Sequence, residues 1–214
     1  MSDHPDTLGS GADLADERIF DHAVHNRPYG NLRISGDLGL VIERPEGVFV
    51  AIIDVLGHGP SANTTARQIE LLLTQPDLDV RDVTSVLRAL HHALLDKRGC
   101  AAGLAWCDRA TGKLRYTAVG NTAARCFPAV GKEVRLLSRD GTLGAAVPTP
   151  REESLTLSPG DVLVLYTDGV SDSFKLSDYP LLRGDSAEVV ARTLVQRFGK
   201  THDDATAICL RWKR

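Results

Sequence analysis

Apolar and polar residues alternate and cluster along this chain in a way that marks out its elements. Residues 17–25 (ERIFDHAVH) read as an edge strand. Residues 33–43 and 47–54 are two β-rich runs separated by Arg44-Pro45-Glu46-Gly47, a turn sequence, so they predict a hairpin. Val48 to Val55 is apolar almost throughout, the pattern of a strand covered on both faces. Ile69, Leu72 and Leu73 give the stretch from Ser61 to Gln75 a helical stripe that ends before Pro76. Val83, Val86, Leu87, Leu90, Leu94 and Leu95 recur at helical spacing within a second stretch, Val80 to Lys97. Strands are then predicted at 101–108 and 113–119 around an Arg109–Gly112 turn, and at 123–128 and 132–137. An irregular loop covers 138–150, and a buried strand covers 161–167. A polar segment spans 171–185, a third helix 186–198 and a last strand 205–212. The order, two strands, two helices, several strands, a helix and a strand, fits an α+β domain with strands and helices in separate layers.

The 214 residues suit one domain. The first fifteen, rich in Asp, Ser, Gly and Pro, are expected to form a flexible leader, with residues 16–214 a single folded domain. Apolar residues make up 43% of the chain and charged residues 25%, which excludes wholesale disorder. The net charge of −3 argues against a nucleic-acid partner. No apolar run approaches the roughly 20 residues of a membrane span, and the start has no secretory signal, so neither membrane insertion nor export is expected. Cys100, Cys107, Cys126 and Cys209 form no C-x-x-C pair, which predicts reduced thiols in a cytoplasmic protein.

The chemistry lies in acidic residues at strand ends. Asp54 closes one apolar strand and is followed by Val55-Leu56-Gly57-His58-Gly59. Asp168 closes a second and is followed by Gly169; Asp203 and Asp204 precede the last strand; Asp37 follows Ser35-Gly36. A carboxylate at the end of a buried strand is costly to desolvate unless its charge is compensated. These motifs contain no Lys or Arg, so a hard divalent cation with oxygen ligands is the natural partner. Taken singly, each acid reads as a turn or cap residue; the functional case rests on the set.

That set resembles a known family. Ile53-Asp54-Val55 with Gly57-His58-Gly59, the run Gly160 to Val170 with its Thr167-Asp168-Gly169, and Asp203-Asp204-Ala205-Thr206 look like the SpoIIE-type branch of the metal-dependent type 2C protein phosphatases. Ser35-Gly36-Asp37, Ala118-Val119-Gly120-Asn121 and Gly141-Thr142-Leu143-Gly144 match in the same order, so the resemblance covers about residues 30 to 212. It implies a four-layer αββα sandwich, two antiparallel sheets flanked by helices, and serine/threonine phosphatase activity with two Mn²⁺ or Mg²⁺ ions. Asp54 would bridge both metals, the Val55 carbonyl would bind one, and Asp168 and Asp203 would complete the cluster. Asp37 would hold a metal or orient its water. Asp203 rather than Asp204 is the expected ligand, although the two are adjacent. A water activated between two cations would attack phosphorus in line, with no covalent phosphoenzyme.

The chain departs from the family pattern at Leu56, where the eukaryotic branch has His, and after Asp37, where many relatives carry a second acid. His58 is expected to be a loop residue without a proton-transfer role. His91 and His92, neighbours on a helix, point about 100° apart and cannot share one metal; one packed and one solvated is expected. Within the branch the chain is most like the RsbX-type phosphatases. That implies a phosphorylated STAS-domain stressosome protein as substrate. The alternatives are a phosphorylated anti-anti-sigma factor of another partner-switching pathway, and a non-catalytic binding relative.

Overall fold

The computed structural model describes residues 19–147 and 149–213. The expected leader over residues 1–15 therefore lies outside the described residues. Among the described residues, ten strands form two five-stranded sheets, and every strand pair is antiparallel. In one sheet, β2 (Asp37–Arg44), β3 (Gly47–Val55), β4 (Cys100–Asp108), β5 (Lys113–Val119) and β8 (Glu153–Thr156) lie in that order. In the other the order is β1 (Phe20–Arg27), β10 (Ala205–Trp212), β9 (Val162–Tyr166), β6 (Ala123–Phe127) and β7 (Val134–Leu136).

The four layers follow from the two-residue period of strands. On β3, Val48, Val50 and Ile52 point inward and pack with Leu163 and Leu165 of β9 and Ile208 and Leu210 of β10. Phe49, Ala51 and Ile53 point outward beneath α1 (Pro60–Leu73) and α2 (Val83–Ala93), against Ile69, Leu87 and Leu90. On the far side, Val162 and Val164 of β9 meet Val190 and Leu194 of α4 (Ala187–Phe198). Each fully buried aliphatic side chain contributes about 1.5–3 kcal/mol to folding. Double-sided burial explains the unbroken apolar run of β3.

The helix ends are chemically marked. Asp82 caps α2 by accepting from the Ser85 amide at 3.0 Å, so the helix begins at Val83 and Val80 stays in the preceding turn. Ser186 caps α4 through the Val189 amide. Pro60 opens α1, where its missing N–H costs nothing. Three elements are absent from the sequence reading: β8, and, inside the polar 171–185 segment, a 3₁₀ turn (Leu176–Asp178) and the short helix α3 (Pro180–Gly184). Cys100, Cys107, Cys126 and Cys209 are all free and buried, and burial pushes the first three thiols up to about 12. They are inert packing residues. Among the described residues, no helix is long and apolar enough to cross a membrane.

Candidate active site

The strand period that builds the core also gathers the acids. Asp54 continues the inward series Val48, Val50, Ile52 to the end of β3. Asp37 is its direct partner across the β2–β3 ladder, so the two carboxylates leave the same face. On the opposite sheet, Thr167 continues the inward series Leu163, Leu165 of β9, and Thr206 precedes Ile208 and Leu210 on β10. All four inward positions meet at one open end of the sandwich. The Thr167 hydroxyl accepts from the Thr206 amide at 3.1 Å and donates to Asp37 Oδ2 at 2.7 Å, tying one sheet to the other.

Asp168 follows Thr167 where β9 gives out. Gly169 has to lack a side chain: a Cβ there would stand 1.7 Å from the Asp204 carbonyl oxygen. That close approach draws the Asp168 turn against the Asp203-Asp204 turn. Asn121, just beyond β5, donates to Asp168 Oδ2 at 2.5 Å and pulls the Asp54 carboxyl down. The segment after Asp168 is anchored by buried Arg125. Its guanidinium pairs with Glu133 at 2.7 Å, donates to the Phe174 carbonyl at 2.9 Å and stacks on the Phe174 ring.

The two adjacent aspartates before β10 have different surroundings. Asp204 is buried, and its carboxylate is consumed by two backbone amides, those of Tyr29 at 2.7 Å and Gly36 at 2.8 Å. It pins the loop between β1 and β2 that delivers Asp37. Asp203 is more open, and its charge faces Asp168 and Asp54.

The electrostatics describe a concentration of negative charge. Burial first, then Asp168 and Asp203, push the Asp54 carboxyl up to about 7. Burial and Asp54 hold Asp37 well above the usual carboxylate range, although Thr167 and Thr206 pull it down. Asp203 is raised by burial and by Asp168. Among the described residues, none of these acids is in an ion pair with Lys, Arg or His. Partly desolvated carboxylates without a counter-charge, offering only hard oxygen atoms, suit a divalent cation. Among the described residues, however, no three His, Cys, Asp or Glu side chains are drawn together closely enough to hold an ion as they stand. Mutual repulsion, and the bonds that engage Asp37 with Thr167 and Asp168 with Asn121, account for that spacing. Closing on a cation requires these side chains to turn.

The loop after Asp54 is shaped from outside. Arg98, between α2 and β4, donates to the Leu56 carbonyl at 2.6 Å and to Ser61 Oγ at 3.2 Å. Leu56 is exposed where the eukaryotic branch carries His, and exposed His58 stacks on Tyr29 with ring centroids 4.8 Å apart. His91 is half-buried and accepts from the Gly144 amide at 3.1 Å, while His92 is solvated. Sequence reasoning gave Thr167 and Asn121 no role and weighed Asp204 only against Asp203 as a ligand, although all three lie inside the matched motifs.

The comparisons agree with this geometry. No curated protein sequence matches the chain. A solved structure from work on the bacterial stressosome, described as a modular system adapted to control secondary messenger signaling, shares 25% identity and a TM-score of 0.77. The match covers 90% of this chain and 99% of that one. RsbX in complex with magnesium shares 21% identity and a TM-score of 0.76, covering 90% and 94%. The Mycobacterium tuberculosis serine/threonine phosphatase PstP shares 14% identity and a TM-score of 0.69, covering 92% and 100%. These last two likenesses are of fold. The family model for Stage II sporulation protein E matches residues 44–213, well over half of the sequence. The αββα sandwich and the matched motifs agree with that assignment, and the chain belongs to the SpoIIE family of metal-dependent type 2C serine/threonine protein phosphatases.

Proposed function

We propose that this chain removes phosphate from phosphoserine or phosphothreonine on a STAS-domain protein of stress signalling, using two Mn²⁺ or Mg²⁺ ions. The ions would be held by Asp37, Asp54, the Val55 carbonyl, Asp168 and Asp203. The observation that carries this reading is Asp54 at the inward end of β3, facing two further carboxylates with no basic partner. When bound, such ions acidify a water and offset charge on the phosphoryl oxygens. The protein's own residues set the geometry. Thr167 donates a hydrogen bond to Asp37 Oδ2 and fixes that carboxylate, Asn121 steers Asp168, and Asp204 holds the Asp37 loop through two amides. Asp203, not engaged by the loop amides, is the member of its pair available as a ligand.

The likeness to a structure from stressosome work and to RsbX supports a STAS-domain substrate. The same site would serve a phosphorylated anti-anti-sigma factor equally well. The folded phosphatase domain is taken to span 16–214, with its described strands running from Phe20 to Trp212. Phosphate release from purified phosphorylated STAS proteins tests the reading. Release that requires Mn²⁺ and stops with chelator or Asp168→Ala supports it. Hydrolysis of p-nitrophenyl phosphate without release from any STAS protein refutes the substrate, and no hydrolysis of either refutes the enzyme.

A further inference from the structure

Beside the acids lies a pocket of the opposite sign. A cavity of about 220 Å³ is lined by Leu137, Ser138, Arg139, Arg151 and Glu153. Its place in the fold ties it to the catalytic end of the sandwich. Arg139 bridges the last residue of β5: its amide donates to the Ala118 carbonyl at 3.2 Å and its carbonyl accepts from Gly120 at 2.8 Å. Ser138 Oγ donates to the Gly120 carbonyl at 2.6 Å. The next residue is Asn121, which holds Asp168. On the other side, β8 pairs with β5 so that Glu153 lies opposite Tyr116. Arg151 lies two residues before Glu153, and it lines the same cavity as Arg139, whose backbone is tied to the end of β5 just before Asn121.

Among the described residues, neither arginine is in an ion pair or donates a side-chain hydrogen bond to protein. Glu153 also lines the pocket, but its Oε2 accepts from the Leu137 amide at 3.1 Å and it pairs with neither arginine. Asp140 and Glu152 are exposed and do not line it. Arg125, the buried arginine among the described residues, is saturated with carboxylates and carbonyls, whereas Arg139 and Arg151 are exposed. What sets these two apart is that both line one cavity, where their donors are open to an anion on a molecule whose net charge is −3.

We propose that the Arg139–Arg151 pocket recognises a second anionic group of the protein substrate, a carboxylate or a further phosphate lying a few residues from the phosphoserine being hydrolysed. The proposal rests on the phosphatase reading for its purpose, since it makes the pocket a specificity subsite. Charge alone attracts an anion here, and the guanidinium fork adds orientation. In an open pocket two such contacts are worth about tenfold in Kd.

The test uses fluorescent phosphoserine peptides of one sequence carrying, at flanking positions, aspartate, asparagine or a second phosphoserine. Anisotropy gives Kd and steady-state kinetics gives kcat/KM, with p-nitrophenyl phosphate as the small substrate. The wild-type chain should bind an anionic peptide about tenfold tighter than its asparagine counterpart, and whichever of aspartate and phosphoserine gains more identifies the group. Arg139→Gln/Arg151→Gln should lose that preference, Arg139→Lys/Arg151→Lys should keep part of it, and all should hydrolyse p-nitrophenyl phosphate as wild type does. Equal binding of charged and neutral peptides by wild type, or an unchanged preference in the double glutamine variant, overturns the proposal. Charge-dependent binding in a chain that hydrolyses nothing would leave the pocket standing and remove the phosphatase reading.

Discussion

Replacing Asp54 with asparagine should make the metal-free protein more stable while removing its activity. Asp54 sits among carboxylates without a counter-ion, and its folded-state carboxyl is pushed up to about 7 by burial, Asp168 and Asp203. In the unfolded chain it titrates near 3.9. Between these values the native state binds the extra proton, so stability contributed at this site falls as pH rises from about 4 to 7 and is flat above. A shift of this size corresponds to at most about 4 kcal/mol at 1.36 kcal/mol for each unit of pKa. Coupling to Asp168 and Asp203 and partial access of water reduce it to about 2 kcal/mol. For a domain of this size that is a rise in Tm of roughly 4–8 °C. Thermal unfolding of wild type and Asp54→Asn in chelator, from pH 4 to 8, reads it directly. The variant should gain nothing at pH 4 and most at pH 8, and Mn²⁺ should raise the wild-type Tm far more than the variant's. A variant less stable than wild type at pH 8 in chelator, with an unchanged pH slope, would refute the charge-repulsion argument.

Other substitutions separate ligand from scaffold. Asp203→Ala should abolish nearly all turnover and leave Tm within a degree or two. Asp204→Ala, which orphans the Tyr29 and Gly36 amides, should cost about 3 kcal/mol in a denaturant melt; the reverse pattern would exchange their roles. Gly169→Ala forces a Cβ into the Asp204 carbonyl and should destabilise by more than about 3 kcal/mol, measured by urea unfolding. Arg98→Met releases the Leu56 carbonyl and should raise the Mn²⁺ concentration for half-maximal p-nitrophenyl phosphate hydrolysis several-fold while largely sparing kcat at saturating Mn²⁺.

The parts legible in the sequence are those that local pattern controls. The continuous apolar run of β3 announced a strand buried on both sides, and Asp54 at its end announced a carboxylate in need of compensation. The same held for β9 and Asp168. That one of His91 and His92 packs and the other is solvated followed from their separation of about 100° on α2; the structure makes His91 the packed one. What escaped was set by neighbours distant in the chain. β8 alternates partly buried Glu153 and Leu155 with exposed Ser154 and Thr156, too polar to stand out from the loop before it. The different surroundings of Asp203 and Asp204 have no local signal, because Asp204 is engaged by amides about 170 residues earlier. Asn121 and Thr167 looked like motif filler until the sheets brought them against Asp168 and Asp37.

The central claim is that aspartates from both sheets converge on divalent cations, and anomalous scattering from a Mn²⁺-soaked crystal of the chain tests it most directly. The account predicts two peaks at the open end of the sandwich, Asp54 between them and Asp168 and Asp203 turned in as ligands. Peaks elsewhere, or none with the four carboxylates still apart, would contradict it.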